Sequence, residues 1–424
     1  MPLSFLRAPS LHGLALPFVM FALALLGPED ALARDIPVDG PAALETVLAE
    51  AQGGDRLLLA PGTYGKLGLN GKRIDFASTV TITSADPDDR AVFSELSIYK
   101  AANITLDGIL FDYTFAPGDK RNHRPFALVG AQNVTIRNSV FDGDEAYGLE
   151  PQLNGNGYAY GLSVRSSRDI AIEDNLIRTF KRGFLFSGVS DLAVTGNEVT
   201  DMSGDGMNFA QVQHVRIEDN YIHDFRRDDA SRIHPDMIQF WTAGKSKPNV
   251  DILIRGNLLS SGQGPYTQSI FMRNEEVDRK RAGKEMFYRD LVIADNLIIN
   301  AHLHGITVGE TKGLTIRNNT LVRNPGSDGP KNNKNLYTPM IRASSKSEDV
   351  MIVDNVMFRL EGFDDQSGWI VRNNYLVQDR TRLKPGFYGM VFEGGDPLDP
   401  ASFRPKPGGP LDGTGIGAPA FPRP

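Results

Sequence analysis

The sequence predicts an all-β solenoid, a right-handed single-stranded parallel β-helix of about ten coils. Three observations lead to this prediction. A short phrase with alternating apolar residues recurs along the chain, an asparagine stands at the same position of each copy, and many copies are one three-strand coil apart. An amphipathic helix would need apolar residues at positions i, i+3 and i+4, which the copies lack.

The repeated phrase has the form x-Φ-x-Φ-x-x-Asn, where Φ is an apolar residue. Clear copies end at Asn175, Asn197, Asn220, Asn257, Asn296, Asn319, Asn355 and Asn374. The alternation predicts strands whose Φ side chains point into the solenoid. The intervals 175–197, 197–220 and 296–319 are 22, 23 and 23 residues. Because the asparagines share one turn position, we expect their amides to stack from coil to coil in an internal ladder.

The amino-terminal residues have the features of a secretory signal peptide. Arg7 precedes a short apolar run, and Ala31-Leu32-Ala33 is a small-x-small cleavage site. Cleavage after Ala33 would release a secreted or periplasmic protein, and residues 1–33 are therefore assigned to the signal peptide. No later stretch is apolar enough to predict a membrane span.

Residues 34–380 are predicted to form the β-helix with an amino-terminal cap. Pro41–Gln52 has the pattern of one amphipathic helix, which would cover the exposed edge of the first coil. Residues 381–424 are rich in proline and glycine and are predicted to be an irregular tail packed on the last coil. A solenoid grows by stacking, so the length of the chain does not require a second domain.

Composition restricts the partners. The chain contains no cysteine, which excludes disulfides and thiolate chemistry. Its formal net charge of −7 argues against nucleic acid as the partner. A net-negative protein can bind an anionic polymer only through a local basic groove. We expect a monomer that has no membrane partner after signal cleavage.

The repeats resemble those of the pectate-lyase-like right-handed β-helix superfamily, over roughly Asp39 to Gln378. The phrase His234-Pro-Asp236-Met-Ile-Gln239-Phe-Trp241 is similar to one in secreted bacterial alginate and glucuronan lyases of polysaccharide lyase family 31. This resemblance implies a lyase that cleaves a uronic acid-containing polysaccharide by β-elimination.

A groove is predicted on the strand that precedes each asparagine strand. Four intervals between successive turn positions, 139–175, 220–257, 257–296 and 319–355, are 36 to 39 residues long, and the two central insertions, Phe225–His234 and Gln263–Arg289, should wall this groove. The outward positions of successive strands align as Asn208, Gln239, Phe271, Thr307 and Arg342. A slip of one residue would turn each of them inward.

Four catalytic residues are predicted. Arg273, with Gln239, would neutralise the uronate carboxylate. His234 would remove the C5 proton, with His304 as the second candidate, since an imidazole is a suitable base near neutral pH. Asp236 would orient an imidazole or bind a sugar hydroxyl. Tyr266 is a candidate for the acid that protonates the leaving oxygen.

The predicted substrate-binding residues are Asn208, Gln239, Trp241, Asn274, Lys284 and Arg342, and no metal ligand is assigned. Trp241 would stack on a sugar ring, and Lys284 belongs to a local basic cluster. Calcium is a candidate cofactor, because it can neutralise uronates.

Other activities stay open at this point. The segment Leu303-His304-Gly305 is similar to the Gly-His-Gly motif of polygalacturonases, and Asp205 and Asp236 would then be an acid–base pair. The segment around His304 also resembles the Lys-His-Gly segment of periplasmic alginate C5-epimerases, which implies a uronan C5-epimerase as a further alternative. A carbohydrate-binding β-helix without catalytic activity is the remaining alternative.

Overall fold

The computed structural model describes residues 33–226 and 234–421. The described residues belong to one compact unit that begins at Ala33. The predicted signal peptide, apart from Ala33, lies outside the described residues, as does most of the predicted insertion Phe225–His234.

The chain winds into parallel coils, and a typical coil contributes one strand to each of three sheets. The first sheet consists of β1 (Asp35–Val38), β2 (Arg56–Leu59), β4 (Val80–Ser84), β6 (Ala102–Asp107), β9 (Gln132–Arg137), β13 (Arg168–Glu173), β16 (Ser190–Thr195), β19 (Gln213–Glu218), β22 (Val250–Arg255), β25 (Tyr288–Ala294), β28 (Thr311–Arg317), β31 (Glu348–Val353) and β34 (Ile370–Arg372).

The second sheet has short strands that follow the asparagine turn: β7 (Leu110–Asp112), β10 (Val140–Asp142), β14 (Leu176–Arg178), β17 (Glu198–Thr200), β20 (Tyr221–His223), β23 (Leu258–Ser260), β26 (Leu297–Asn300), β29 (Thr320–Arg323), β32 (Val356–Met357) and β35 (Tyr375–Leu376).

The third sheet completes each coil: β3 (Gly62–Asn70), β5 (Ala91–Tyr99), β8 (Phe126–Val129), β12 (Asn156–Arg165), β15 (Phe180–Ser187), β18 (Met207–Ala210), β21 (Asp236–Phe240), β24 (Gln268–Met272), β27 (His304–Val308), β30 (Met340–Ala343) and β33 (Leu360–Glu361). The second and third sheets join where β5 pairs with both β7 and β8. One further strand, β11 (Glu145–Ala146), is antiparallel to β12.

Helices are few. The α-helices are α1 (Gly40–Glu50), α2 (Glu275–Asp278) and α3 (Tyr388–Val391), and the 3₁₀ helices are Lys284–Met286, Pro325–Ser327, Lys334–Tyr337 and Pro400–Phe403. Leu44 and Leu48, four residues apart on α1, are buried against the first strands of the solenoid.

The turn before each ladder asparagine has a local cause in the sequence. The preceding residue adopts a positive φ, for example 53° at Asp174, 67° at Gly196 and 55° at Asp219. Glycine, asparagine and aspartate tolerate this left-handed conformation better than other residues. The repeated Asp-Asn, Gly-Asn and Asn-Asn pairs are therefore the sequence signature of this turn.

The predicted asparagine ladder is confirmed. From Asn175 to Asn374, each side-chain Nδ2 donates to the Oδ1 of the next ladder asparagine at 2.9 or 3.0 Å. The same Oδ1 also accepts the backbone N–H of the preceding ladder residue. The first sheet has thirteen strands, whereas about ten coils were predicted. The predicted number was lower because the first coils lack the asparagine signature.

The carboxy-terminal tail was predicted to pack on the last coil. In the structure it also contacts strands of earlier coils. Val391, Phe392 and Leu411 join a buried cluster on the outside of the second sheet. The backbone N–H of Ala418 then donates to Thr320 Oγ1 at 2.9 Å. The outward side chains of the second sheet are apolar here, so the tail runs back along several coils and covers them.

Candidate functional site

The outer face of the third sheet carries the predicted groove residues in the predicted register. Asn208 pairs with Gln239, Gln239 with Phe271, Phe271 with Thr307, and Thr307 with Arg342. Neighbouring strands are about 4.8 Å apart, so these five positions form one continuous column along the solenoid.

Two buried carboxylates lie at the start of two neighbouring strands of this column: Asp236 begins β21, and Asp205 precedes β18 by two residues. Asp205 and Asp236 are 4% and 2% exposed, and the backbone N–H of Asp236 donates to Asp205 Oδ1 at 3.2 Å. Gln239 Nε2 donates to Asp236 Oδ2 at 2.6 Å, and Arg182 Nε lies 3.1 Å from Asp205 Oδ2. Burial raises the pKa of Asp205, although the Arg182 guanidinium opposes this shift.

His304 is held among aromatic and polar side chains. Its ring lies 5.0 Å from that of Phe271, edge to face, and its Nδ1 is 2.8 Å from Thr307 Oγ1. Burial and, to a smaller extent, the charge of Arg342 lower the pKa of His304 to about 4. The imidazole is therefore neutral at physiological pH.

Arg273, His304 and Arg342 line one concavity, as the sequence predicted for Arg273 and His304. We call it the His304 concavity; its volume is about 510 Å³, and its lining includes Phe271, Arg273, Asp278, His304, Thr307, Glu310, Arg342, Ser344 and Glu361. His234 is exposed, and its charge also lowers the pKa of His304, so the two imidazoles lie near each other.

Each cation that the sequence assigned to the site has a carboxylate partner. Arg273 Nε lies 2.7 Å from Asp278 Oδ2, and Arg342 Nη2 lies 2.9 Å from Glu361 Oε2. Lys284 forms an ion pair with Glu348 at the edge of the first sheet, outside the His304 concavity. The structure therefore does not bring Lys284 to the groove.

Two predicted substrate-binding amides are buried. Asn274 is 1% exposed; it accepts a hydrogen bond from Thr242 Oγ1 at 3.0 Å and donates to the Met286 carbonyl at 2.8 Å. Asn208 has the predicted outward register, but it is 2% exposed. A polymer could not reach either side chain in this conformation, and we exclude both from the contact surface.

Trp241 is half-buried at the edge of the groove. Lys245 Nζ lies 4.8 Å from the centre of its ring system and donates to Ser187 Oγ at 2.9 Å. The Lys245 ammonium group therefore lies over one face of the indole. Tyr266, the candidate acid, packs edge to face against Tyr337 with ring centres 5.4 Å apart.

A basic cluster that was not predicted from the sequence lies at the amino-terminal end of the groove. Arg124, Lys181 and Arg182 surround the ring of Tyr160, with cation-to-centre distances of 5.4, 5.5 and 5.3 Å. Tyr160 pairs with Arg182 on the next strand. Burial, and next the charge of Arg165, lower the pKa of Arg124, so the Arg165 side chain lies near Arg124, five residues along β12 from Tyr160. We call Arg124, Tyr160, Arg165, Lys181 and Arg182 the Tyr160 cluster.

Within residues 33–226 and 234–421, Arg124, Arg165 and Lys181 form no ion pair. Burial, and next the nearby charges of Arg121 and Arg182, lower the pKa of Lys181 to about 8. The sequence signal for this cluster is the long interval between the turn positions Ser139 and Asn175, whose 36 residues indicate an insertion before Asn175. The cations themselves come from three different coils.

In the described part of the chain, no group of three or more histidine, aspartate or glutamate side chains is placed to hold a metal ion. The use of calcium stays a prediction without an assigned site. No helix among the described residues is long and apolar enough to cross a membrane.

The family described as "Right handed beta helix region" matches residues 126–333. No curated protein sequence matches the chain.

Solved structures that are similar to this chain include a mutant of the PL6 family alginate lyase AlyGC (13% identity, TM-score 0.45, covering 92% of this chain and 59% of that one). They also include the Dettilon tailspike protein gp208 (14%, 0.45, 82% and 63%) and an exopolygalacturonase from Thermotoga maritima (13%, 0.40, 81% and 86%). The chain thus spans about three fifths of the length of the first two.

The repeated coils, the parallel register of all three sheets and the family match agree. This chain folds as a right-handed parallel β-helix.

Proposed function

We propose that this protein is a polysaccharide lyase that cleaves a uronic acid-containing polysaccharide by β-elimination. One observation carries the proposal: two cations without a carboxylate partner among the described residues, Arg124 and Lys181, lie against the ring of one tyrosine, and the charge of Arg165 acts on Arg124, in a chain of net charge −7. Unpaired guanidinium groups at a groove are suited to bind a uronate carboxylate.

The Tyr160 cluster contains groups for all three steps of the reaction. Arg124 and Arg165 would bind the carboxylate, which makes the C5 proton more acidic. Lys181, with a pKa of about 8, has a substantial neutral fraction in mildly alkaline solution and would take this proton. The C4–O bond then breaks, a C4–C5 double bond forms, and the Tyr160 hydroxyl would donate a proton to the leaving oxygen.

The residues predicted from sequence give a second candidate centre for the same reaction. His234 or His304 would be the base, with Arg273 as the cation. Two observations favour the Tyr160 cluster instead: Arg273 is paired with Asp278, and a pKa of about 4 makes His304 a weak base.

A hydrolase is the second candidate function, because Asp205 and Asp236 are buried carboxylates on adjacent coils and burial raises the pKa of Asp205. The raised pKa suits a general acid. The two functions leave different products, because only β-elimination creates an unsaturated uronate.

The test is an ultraviolet assay for unsaturated uronate on alginate, glucuronan, polygalacturonate and glycosaminoglycans. We expect turnover on at least one polymer, lost in Lys181→Ala and kept in Lys312→Ala, a matched exposed lysine on the first sheet. Reducing ends without unsaturated product would identify a hydrolase. A changed uronate composition without shorter chains would identify an epimerase, and binding without any product would overturn the catalytic proposal.

We also propose that the protein is exported. The first strand begins at Asp35, and Arg34 Nη2 forms an ion pair with Asp55 at 2.5 Å. Cleavage after Ala33 would therefore leave every described element intact. Amino-terminal sequencing of the exported protein tests this, and a mature chain starting within β1 would contradict it.

A further inference from the structure

A second outward column on the third sheet passes through the proposed uronate site. It lies two residues further along the strands than the column that contains Asn208. Successive strands contribute Tyr99, Val129, Arg165, Ser187, Ala210 and Trp241. We call it the Tyr99 column. Because Arg165 belongs to the Tyr160 cluster, a polymer bound at this cluster can follow the Tyr99 column along the solenoid.

Each end of the Tyr99 column pairs an aromatic ring with a lysine. Tyr99 is 40% exposed, and Lys100 Nζ lies 5.2 Å from the centre of its ring. At the other end, Lys245 Nζ lies 4.8 Å from the centre of the Trp241 ring system. Within residues 33–226 and 234–421, neither lysine forms an ion pair. The column therefore presents a ring and an available cation on both sides of Arg165.

The turn that carries Lys100 does not require a lysine. Lys100 has a φ of 51°, and the residues at the same turn of the next three coils are Gly130 at 65°, Ser166 at 49° and Gly188 at 65°. Glycine adopts this left-handed conformation more readily than lysine does. Gly130 also leaves space for the Lys100 stem, since a Cβ on Gly130 would lie 3.2 Å from Lys100 Cγ. The fold thus accommodates this lysine but would form the turn with glycine.

A uronate fits the pair of Tyr99 and Lys100 better than an uncharged sugar does. At an exposed position, the contact between an ammonium and a ring is weaker than a charge-assisted hydrogen bond to a carboxylate. A uronate can therefore draw the Lys100 ammonium to its carboxylate and pack the C–H face of its pyranose on the uncovered ring. An uncharged sugar would displace the ammonium without giving it a new partner.

We infer that Tyr99 and Lys100 form a distal subsite that binds a second uronate of the same polymer. Two strand steps separate Tyr99 from Arg165, a distance of about 10 Å, which is about the length of two sugars in an extended polymer. This inference rests on the proposed function, because it takes Arg165 as part of the first uronate site. Oligosaccharides that reach both sites should bind more tightly than those that reach one.

The test is direct binding, measured by calorimetry at fixed ionic strength with oligosaccharides of two and six sugars from alginate, glucuronan and polygalacturonate. For at least one polymer, we expect the wild-type protein to bind the hexamer about tenfold or more tightly than the dimer. Tyr99→Ala should raise the Kd for this hexamer by about threefold to tenfold through lost stacking, and leave the Kd for the dimer unchanged.

Lys100→Gly separates binding from folding. It removes the cation and places glycine at a turn that Gly130 and Gly188 form on other coils, so the midpoint of unfolding in urea should be unchanged or higher. The Kd for the hexamer should rise by about twofold to fivefold at low ionic strength, and the difference should shrink at high salt. Lys312→Ala, which removes an exposed lysine of the first sheet, is the control and should bind as the wild-type protein does.

A hexamer bound no more tightly than the dimer, or equal hexamer affinities of the wild-type protein, Tyr99→Ala and Lys100→Gly, would overturn the inference. Unsaturated product in the ultraviolet assay would then still support the proposed function. Failure of the proposed function has a different signature: no unsaturated product forms, and Arg165→Ala binds both dimer and hexamer as the wild-type protein does.

Discussion

The pH dependence of cleavage distinguishes Lys181 from the imidazoles as the base. Only the neutral amine accepts the C5 proton, and it is present above the pKa of about 8. Below this pH, kcat/KM should fall about tenfold for each unit of pH, and above it the value should level off. With His304 as the base, a pKa of about 4 would make the profile flat from weakly acidic to alkaline pH.

The lysine can be altered without losing its charge. Lys181→Arg keeps a cation beside Tyr160, but a guanidinium does not deprotonate in this pH range. We expect turnover to fall by about 10²–10⁴-fold, the usual loss on removal of a general base, while polymer binding changes little. Lys181→Ala should lose turnover and should also bind the polymer more weakly than the wild-type protein.

The assay is the initial rate of unsaturated product at constant ionic strength across the pH range, for the wild-type protein, Lys181→Arg and His304→Ala. The parameter kcat/KM reports the free enzyme, so it is the one to compare with the pKa of Lys181. A flat wild-type profile, or a Lys181→Arg variant with near-normal turnover, would refute the assignment. Loss of turnover in His304→Ala alone would move the base to the His304 concavity.

Three further predictions concern other residues. Tyr160→Phe should reduce kcat by about 10²-fold or more with little change in KM, because only the proton donor is lost; an unchanged kcat would exclude Tyr160 as the acid. Asn257→Ala should lower the free energy of unfolding in urea by about 2–5 kcal/mol, because it leaves the buried Asn220 N–H and Ile217 carbonyl without partners. Asn374→Ala, at the half-buried end of the ladder, should cost only about 1 kcal/mol, and equal losses would contradict this account. Trp241→Ala should weaken polymer binding by about threefold to tenfold at unchanged kcat, measured by calorimetry and rates together.

The solenoid could be predicted from the sequence because its determinants are local and repeated. The alternation of apolar residues sets which side chains face inward, and the asparagine at one turn position sets the length of a coil. The residue before that asparagine must tolerate a positive φ, which restricts it to a few types. These constraints also predicted the register of the outward column from Asn208 to Arg342, which the strand pairing confirms.

The charge state of the groove was decided by the tertiary structure. Nothing in the repeat distinguishes Arg273, which Asp278 neutralises, from Lys181, which has no carboxylate partner among the described residues. Ion pairing and burial depend on side chains that neighbouring coils and loops bring together, whereas the repeat specifies only the backbone within each coil. For the same reason, the burial of Asn274 and the path of the tail across several coils became visible only in the folded chain.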